Sequence, residues 1–554
     1  MLSYHTNRTS HKAAVLRNNV ISNTSLTDRF LSVPHSGYSR FFQDRSLWVV
    51  IAVSSLVLSL LFIEPFSFDN AIYTSIASDL LRQGRILYLG SFDHNFPGII
   101  LVHVLAIALF GPSDLGLRLF DFCVQLGFVI FFYKLLSRYL PNRTAALAAI
   151  LYIFYYVGGG INMYAQRDIY ITMCVVAALA LLLPESVRES NWRIAASGVW
   201  FGIAVLLRPT SLLFVACAGF YLLLGDKARF ESRRIPDVLI LFVTALLPIS
   251  VVLLYYAWVP GGLDAFYTCT IRYNLEIYSR MPTMVSFWRE FARTAFLPAF
   301  AALGLFGNRG RRQPDRPGKR LLSRKGFVFS ATLLLSAFLI LLLMQKNFRY
   351  HFAPVMIGFI PLAAAGIEQM TSRIHGASLR SVVVLALLLL CTFAGYRIQG
   401  PIGFISSLWN GTDPFKAVYE VRNDDPQFGA VPEYALRAFL NRPENQHGSI
   451  EICSYDPRMR AHLPRTFAGA FVSFQELAPL VTASPDSSVS FTGFQLRWRR
   501  KYMQSLETLR PRWIVIARAM TFWAHPVLYP GVLHTMPGFD SLLDTRYDLD
   551  TTIG

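Results

Sequence analysis

Apolar runs of membrane-crossing length, separated by short connections rich in Lys and Arg, dominate this chain. A helix needs about 20 apolar residues to cross a bilayer, and in lipid the backbone must satisfy its own hydrogen bonds, so such runs can only become helices packed side by side. Twelve stretches qualify: 46–64, 97–111, 117–137, 143–160, 167–184, 194–208, 209–225, 238–259, 294–308, 327–345, 351–369 and 379–396. With 53% hydrophobic residues and only 16% charged, against roughly 25% charged in soluble domains, the chain reads as a polytopic α-helical membrane protein. Its net charge of +18 would suit nucleic acid, but the cations sit in short loops between apolar runs. That is the pattern of cytoplasmic anchoring, and no nucleic-acid partner is expected.

The charge bias sets the topology. The stretch 309–325, RGRRQPDRPGKRLLSRK, carries eight Lys and Arg, and 225–234, 185–193, 137–143 and 372–380 are also basic. These loops share one side with the basic tail 1–45 only if 97–111 does not cross. That run is short, begins Pro97-Gly98 and contains His103, so it reads as a half-inserted or interfacial helix. Eleven crossings remain, within a range of about 11–13, with the N-terminus cytoplasmic and the C-terminus outside. The expected organisation is a cytoplasmic tail (1–45), a transmembrane domain (46–396) with its first outer loop at 65–97, and an extracytoplasmic α/β domain (397–554). Within the last, 449–455 and 512–518 read as strands, each following a helical pattern. Cys269 and Cys453 fall on the outer side, which leaves a disulfide between them open.

The same parity gathers ionisable residues at the outer face. Asp69, at the end of the first crossing, can act as a general base or cap the helix starting near Asn70. Asp93 and His94 lie in a turn, SFDHNFPG, and can orient an acceptor hydroxyl together with Tyr73 and Tyr88 of the same loop. A lone Asp-His pair is a weak metal signal; no metal site is expected, and a divalent cation is left open. Asp168 opens a crossing beside Arg167, with which it can pair, and an ionisable group at membrane level points to function. Lys346, Arg349 and His351, in QKNFRYHFAP, are cations on the side where the charge bias disfavours them. They suit a phosphate, as does Arg208 at another outer boundary; Tyr350 reads as an interfacial anchor. There is no phosphate loop, GxSxG or HExxH pattern. Nucleotide donors are absent outside the cell, so a transfer there requires an activated group delivered on a membrane lipid.

In their order along the chain, PFSFDNAIYTSIASDLLRQGRILY (65–88), DHNFPG (93–98), LFGPSDLGLRL (109–119), AQRDIY (165–170), FGIAVLLRPTSLLF (201–214) and KNFRYHFAPVMIGFIPLAAAGI (346–367) resemble the GT-C glycosyltransferases. The resemblance is to the bacterial protein O-mannosyltransferase-like and lipid A aminoarabinose transferase-like branch (the 39/83 family type), and it spans about residues 46–396. It implies a polyprenyl-phosphate-linked sugar donor, a hydroxyl acceptor on lipid, glycan or protein, and a bacterial inner-membrane location facing the periplasm. It also implies that Asp69 and Asp168 are the acidic catalytic positions and that Lys346, Arg349 and His351 face the donor phosphate. Two departures stand out: Asp69-Asn70 where the family often has Asp-Glu, and Asp93-His94-Asn95-Phe96-Pro97 where it often has Asp-Lys-Pro-Pro. Two other readings compete: a flippase or transporter of a lipid-linked glycan, and a non-catalytic assembly protein for envelope polysaccharide.

Overall fold

In the computed structural model the chain is described at residues 44–182, 190–224, 230–280, 286–307, 324–344, 346–393, 399–414, 433–454, 457–461, 463, 465–472, 477, 491–516, 519–522, 525–528 and 533–549. The basic tail up to residue 43 and most of the basic loops at 185–189, 225–229 and 309–323 lie outside those residues. Among them, the expected apolar runs form the helices α1 (Arg45–Leu58), α3 (Gly98–Phe110), α4 (Asp114–Leu136), α5 (Asn142–Gly158), α6 (Arg167–Leu182), α7 (Asn191–Leu207), α8 (Leu212–Leu223), α9 (Ile235–Trp258), α11 (Phe296–Gly307), α12 (Arg324–Met344), α13 (Ala353–Thr371) and α14 (Ala377–Phe393), while α2 (Phe68–Gln83) and α10 (Phe287–Thr294) form in the more polar stretches between them.

The protein is an integral membrane protein. Among the described residues, four helical segments are long and apolar enough to cross on their own: Arg45–Ile63, Asp114–Leu136, Ser232–Trp258 and Arg349–Thr371. Leu239, Val243, Leu247, Val251 and Leu254 leave α9 an exposed apolar flank, which suits lipid rather than water. Where helices meet, small residues let backbones approach. A Cβ on Gly202 of α7 would fall 2.3 Å from the Ala245 carbonyl oxygen of α9, and one on Gly366 of α13 would overlap the Phe300 carbonyl of α11.

Two elements differ from simple spans because of their ends. At 13 residues α3 reaches only about 20 Å, short of the roughly 30 Å hydrocarbon core. It packs His103 and Ile99 inward while Leu101, Leu105 and Leu109 face out. The α7 helix stops at Arg208 because Pro209 follows, and Arg208 is extended, with φ −159° and ψ 126°. This ends the helix where Arg208 can turn inward, and it is buried.

Both expected strands form. β1 (Ile450–Cys453) and β2 (Trp513–Ile516) pair in parallel with Ile450 opposite Trp513. The helix Glu433–Leu440 precedes the first and Gly493–Leu509 precedes the second. A second pair, β3 (Ala519–Phe522) and β4 (His525–Leu528), is antiparallel. Cys269 and Cys453 are both buried thiols with no disulfide between them, so the pairing left open by the sequence does not form. Instead Cys453 Sγ lies 3.4 Å from the Tyr502 hydroxyl, in the packing behind β1.

This C-terminal segment grips the loop of residues 65–97, the expected first outer loop. Arg460 donates to Asp79 Oδ2 at 2.7 Å and to the carbonyl of Phe471 at 3.0 Å. Arg85 donates to the same carboxylate oxygen at 3.2 Å and to the Gly469 carbonyl at 2.7 Å. The Phe92 amide donates to the Ala470 carbonyl at 2.9 Å, and its ring lies 5.2 Å from Phe471 and 4.4 Å from Trp498. The turn that carries Asp93 is therefore held from the C-terminal side.

Candidate active site

Asp69 is not the helix cap. Ser67 caps α2, its Oγ accepting from the Asn70 amide at 3.2 Å, and Asp69 sits in the first turn. A serine hydroxyl already answers the helix's unpaired donors, so the Asp69 carboxylate is left to point elsewhere. It receives a hydrogen bond from the Tyr350 hydroxyl and lies in the field of Arg167, Asp168 and Arg208. Asp69 is half-buried. Burial pushes its pKa above the ordinary carboxylate value, opposed by Tyr350 and Arg167. Tyr350, expected at lipid headgroups, is instead a site residue.

The α5–α6 turn brings Asp168 to the same place. Asn70 Nδ2 donates to the Tyr164 carbonyl at 2.9 Å, and Gln166 Nε2 donates to Ser67 Oγ at 3.2 Å, which ties this turn to the start of α2. From below, the Tyr156 hydroxyl accepts from the Ala165 amide at 3.0 Å while donating to Asp121. Ala165 takes a left-handed φ of 52°, which a side chain tolerates only when its surroundings impose it.

Asp168 does not pair with its neighbour Arg167. Both its oxygens are taken by Arg208, Nη2 donating to Oδ2 at 2.8 Å and Nη1 to Oδ1, with both side chains buried. Arg208, a candidate phosphate ligand by sequence, thus has its fork filled by a carboxylate. Arg167 reaches across to the first outer loop and donates through Nη1 to Asn95 Oδ1. Asn95 in turn donates through Nδ2 to Asp93 Oδ1 at 2.9 Å, and its amide donates to the same oxygen at 3.1 Å. Tyr88, at φ 71°, donates its hydroxyl to the Asn95 carbonyl at 2.7 Å, so it shapes the turn rather than lining open space.

Asp93 is buried, and burial pushes its pKa up to about 6. His94 is pushed down to about 3 by burial and by Arg167, so the 3.9 Å approach of its Nδ1 to Asp93 is between a neutral ring and a carboxyl. The His94 ring stacks on Tyr278 at 5.0 Å, and Lys346 Nζ lies 4.8 Å from the centre of that same ring. Tyr73 is buried edge-on to His103 and faces Asp69 and Asp93, whose charges, after burial itself, raise its pKa. Arg349 Nε bonds Glu290 of α10 at 3.2 Å and its Nη1 the Gly159 carbonyl at 2.9 Å. His351 is buried beside Arg208 and Arg167.

Asp69, Asp93, His94, Asp168, Arg208, Tyr73 and His351 therefore converge, with Lys346 joined through Tyr278, whereas Arg349 is held towards Glu290. Sequence reasoning read Arg167 only as a pairing partner for Asp168 and passed over Asn95, Tyr278 and Glu290. Arg167 carried a signal, being a cation at the outer face against the charge bias; the other three carried none. Among the described residues no three His, Cys, Asp or Glu side chains gather as a metal cage, and Asp168 has both oxygens on Arg208. The donor set does not suit a cation held by side chains, and no step is routed through one.

Residues 94–255 match the family described as dolichyl-phosphate-mannose-protein mannosyltransferase, so over this segment the chain is similar to glycosyltransferases of the GT-C type. No curated protein matches the chain. Among solved structures, the apo oligosaccharyltransferase of Archaeoglobus fulgidus is similar at 13% identity and a TM-score of 0.45, over 84% of this chain and 69% of that one. The same enzyme tethered to an acceptor peptide gives 13% identity and a TM-score of 0.44, over 79% of this chain, which spans 65% of that one. ArnT from Cupriavidus metallidurans in the apo state is similar at 14% identity and a TM-score of 0.47, over 76% of this chain and 84% of that one.

Proposed function

We propose that this protein is a lipid-donor glycosyltransferase working at the outer face of a bacterial inner membrane. It moves a sugar from a polyprenyl-phosphate donor to a hydroxyl of a lipid, glycan or protein acceptor. The observation that carries this reading is Asp69, a carboxylate that is not a helix cap, set against the Tyr350 hydroxyl and within the field of Arg167 and the Asp168–Arg208 pair. The match of residues 94–255 to a family of polyprenyl-phosphate-sugar transferases supports it.

In the reaction, Asp69 accepts the acceptor's hydroxyl proton as that oxygen attacks the anomeric carbon. The bond from the anomeric carbon to the phosphate oxygen breaks with its electrons on the phosphate, which departs as polyprenyl phosphate. The developing charge falls in the field of a basic wall, with Lys346 and His351 beside Arg349 and Arg208, which are themselves held by Glu290 and Asp168. One displacement inverts the anomeric centre. Asp168, neutralised by Arg208, keeps that cation fixed, and the Asp93–Asn95 turn with His94, Tyr73 and Tyr88 orients the acceptor. The N-terminal tail is cytoplasmic, the helices of 46–396 hold the catalytic unit, and 397–554 forms an outer domain over the loop it grips.

The test uses full-length protein in lipid, labelled polyprenyl-phosphate sugars and an envelope extract, with wild type beside Asp69→Asn. Transfer by wild type and a loss of about 100-fold or more in the variant is expected, the scale for a removed general base. Equal transfer by both sinks the role of Asp69, and lipid movement across the bilayer without transfer would establish a flippase instead. A product with the donor's anomeric configuration retained would overturn the single displacement.

A further inference from the structure

The basic wall has a difficulty that pairing exposes. Arg208 is bound on both Nη atoms by Asp168, and Arg349 is held by Glu290 and the Gly159 carbonyl. Glu290 is buried and also receives Arg293 at 2.6 Å. These two guanidinium groups hold protein partners where a donor phosphate would have to compete.

Arg167 differs. Its Nη1 is tethered to Asn95, while its Nε is fully buried with no hydrogen-bond partner among the described residues. Its charge acts on Asp69, Asp93, Asp168, Tyr278 and His351, which places it centrally among them. His351 Nδ1, on a buried side chain in that field, is likewise without a partner among the described residues. A buried N–H left unpaired costs free energy that a ligand oxygen would return. The Nε edge of a guanidinium is also the edge that takes phosphate oxygens in a fork. Asn95 is rigid in turn, since Asp93 and Tyr88 hold its side chain and carbonyl. The relay Asp93–Asn95–Arg167 thus presents a fixed cation to the centre of the site from a loop that has none of its own there: Arg85 of that loop is spent on Asp79 and the Gly469 carbonyl.

We infer that Arg167, aimed by Asn95 and assisted by His351, is the direct ligand of the donor's phosphate, and that Arg208 and Arg349 are positioning residues which hold Asp168 and Glu290. This deepens the glycosyltransferase reading and rests on it. It puts the leaving group beside Asp168 and Asn95 rather than against α10.

The experiment measures binding without turnover. Full-length protein in nanodiscs is titrated with undecaprenyl phosphate and with neutral undecaprenol, and the preference for phosphate over alcohol is the readout. A purely structural role for Arg167 would lower both affinities together and leave the preference unmoved. Arg167→Gln is expected to lower the preference roughly 10- to 100-fold, Arg167→Lys to restore part of it, and Arg349→Gln to lower it by about threefold or less. Asn95→Ala, which keeps the guanidinium but frees it, is expected to lower the preference as well, and it serves if Arg167→Gln does not fold. An unchanged preference in Arg167→Gln or Asn95→Ala, or a larger loss in Arg349→Gln, overturns the assignment. Wild-type protein with no preference for the phosphate lipid would instead sink the lipid-donor reading itself.

Discussion

Replacing Arg460 with Met tests whether the C-terminal segment fixes the geometry of the first outer loop. Arg460 is 2% exposed and holds Asp79 at 2.7 Å, the Phe471 carbonyl at 3.0 Å and the Gly469 carbonyl at 3.2 Å. It also lies 4.2 Å from the centre of the Phe467 ring, packing that a Met side chain partly replaces. Removing one partner of a buried ion pair costs about 3–5 kcal/mol when the other is stranded. Asp79 is not stranded, because Arg85, Gln83 and Ser91 still bond its carboxylate. Gly469 keeps Arg85, and only the Phe471 carbonyl loses its donor from Arg460. The cost therefore falls below that range, about 2 kcal/mol, or roughly 30-fold in the equilibrium for opening the contact. The Phe92 amide, bonded to the Ala470 carbonyl at 2.9 Å, reports that opening directly. Hydrogen exchange of a peptide containing Phe92, followed in nanodiscs, should accelerate by about that factor, with exchange in the middle of α9 unchanged. Acceleration below about threefold would refute the reasoning, since the clasp would then contribute less than 1 kcal/mol.

Two further expectations follow from the site. Asp168→Asn leaves Arg208 buried and unpaired, so thermal stability in detergent should fall by about 3–5 kcal/mol; the double variant Asp168→Leu/Arg208→Met should regain most of it without regaining transfer. Because burial raises the Asp93 pKa to about 6, the folded protein favours its protonated form; that stabilisation is whole below about pH 4 and is lost as pH rises through 6. Asp93→Asn should then be more stable than wild type at pH 7.5 by about 3 kcal/mol and indistinguishable from it near pH 4, measured as unfolding midpoints across that range.

Much of the architecture was legible from local pattern. Apolar run length marks helices one at a time, and Pro209 marks the end of α7, because both effects act within a turn or two of chain. The strands Ile450–Cys453 and Trp513–Ile516 were equally readable from their β-branched runs, though not their parallel pairing. Cap assignment failed at Asp69 because Ser67, two residues earlier, competes for the same role, and only backbone angles reveal which residue stands at the boundary.

Sequence alone determined that this chain is a helical membrane protein and set the expectation that its carboxylates and several cations share one face. Lipid enforces the first by leaving no other way to satisfy the backbone, and loop charge indicates the second. Which charge answers which was decided only by the tertiary structure. Arg208 reaches Asp168 from 40 residues away, Arg167 turns from its neighbour to Asn95, 72 residues back, and Arg460 closes on Asp79 across 381. Pairing energies between buried charges depend on distances of a few ångströms and on the water removed around them. Neither quantity is written in the spacing of residues along the chain; both appear once the helices have packed.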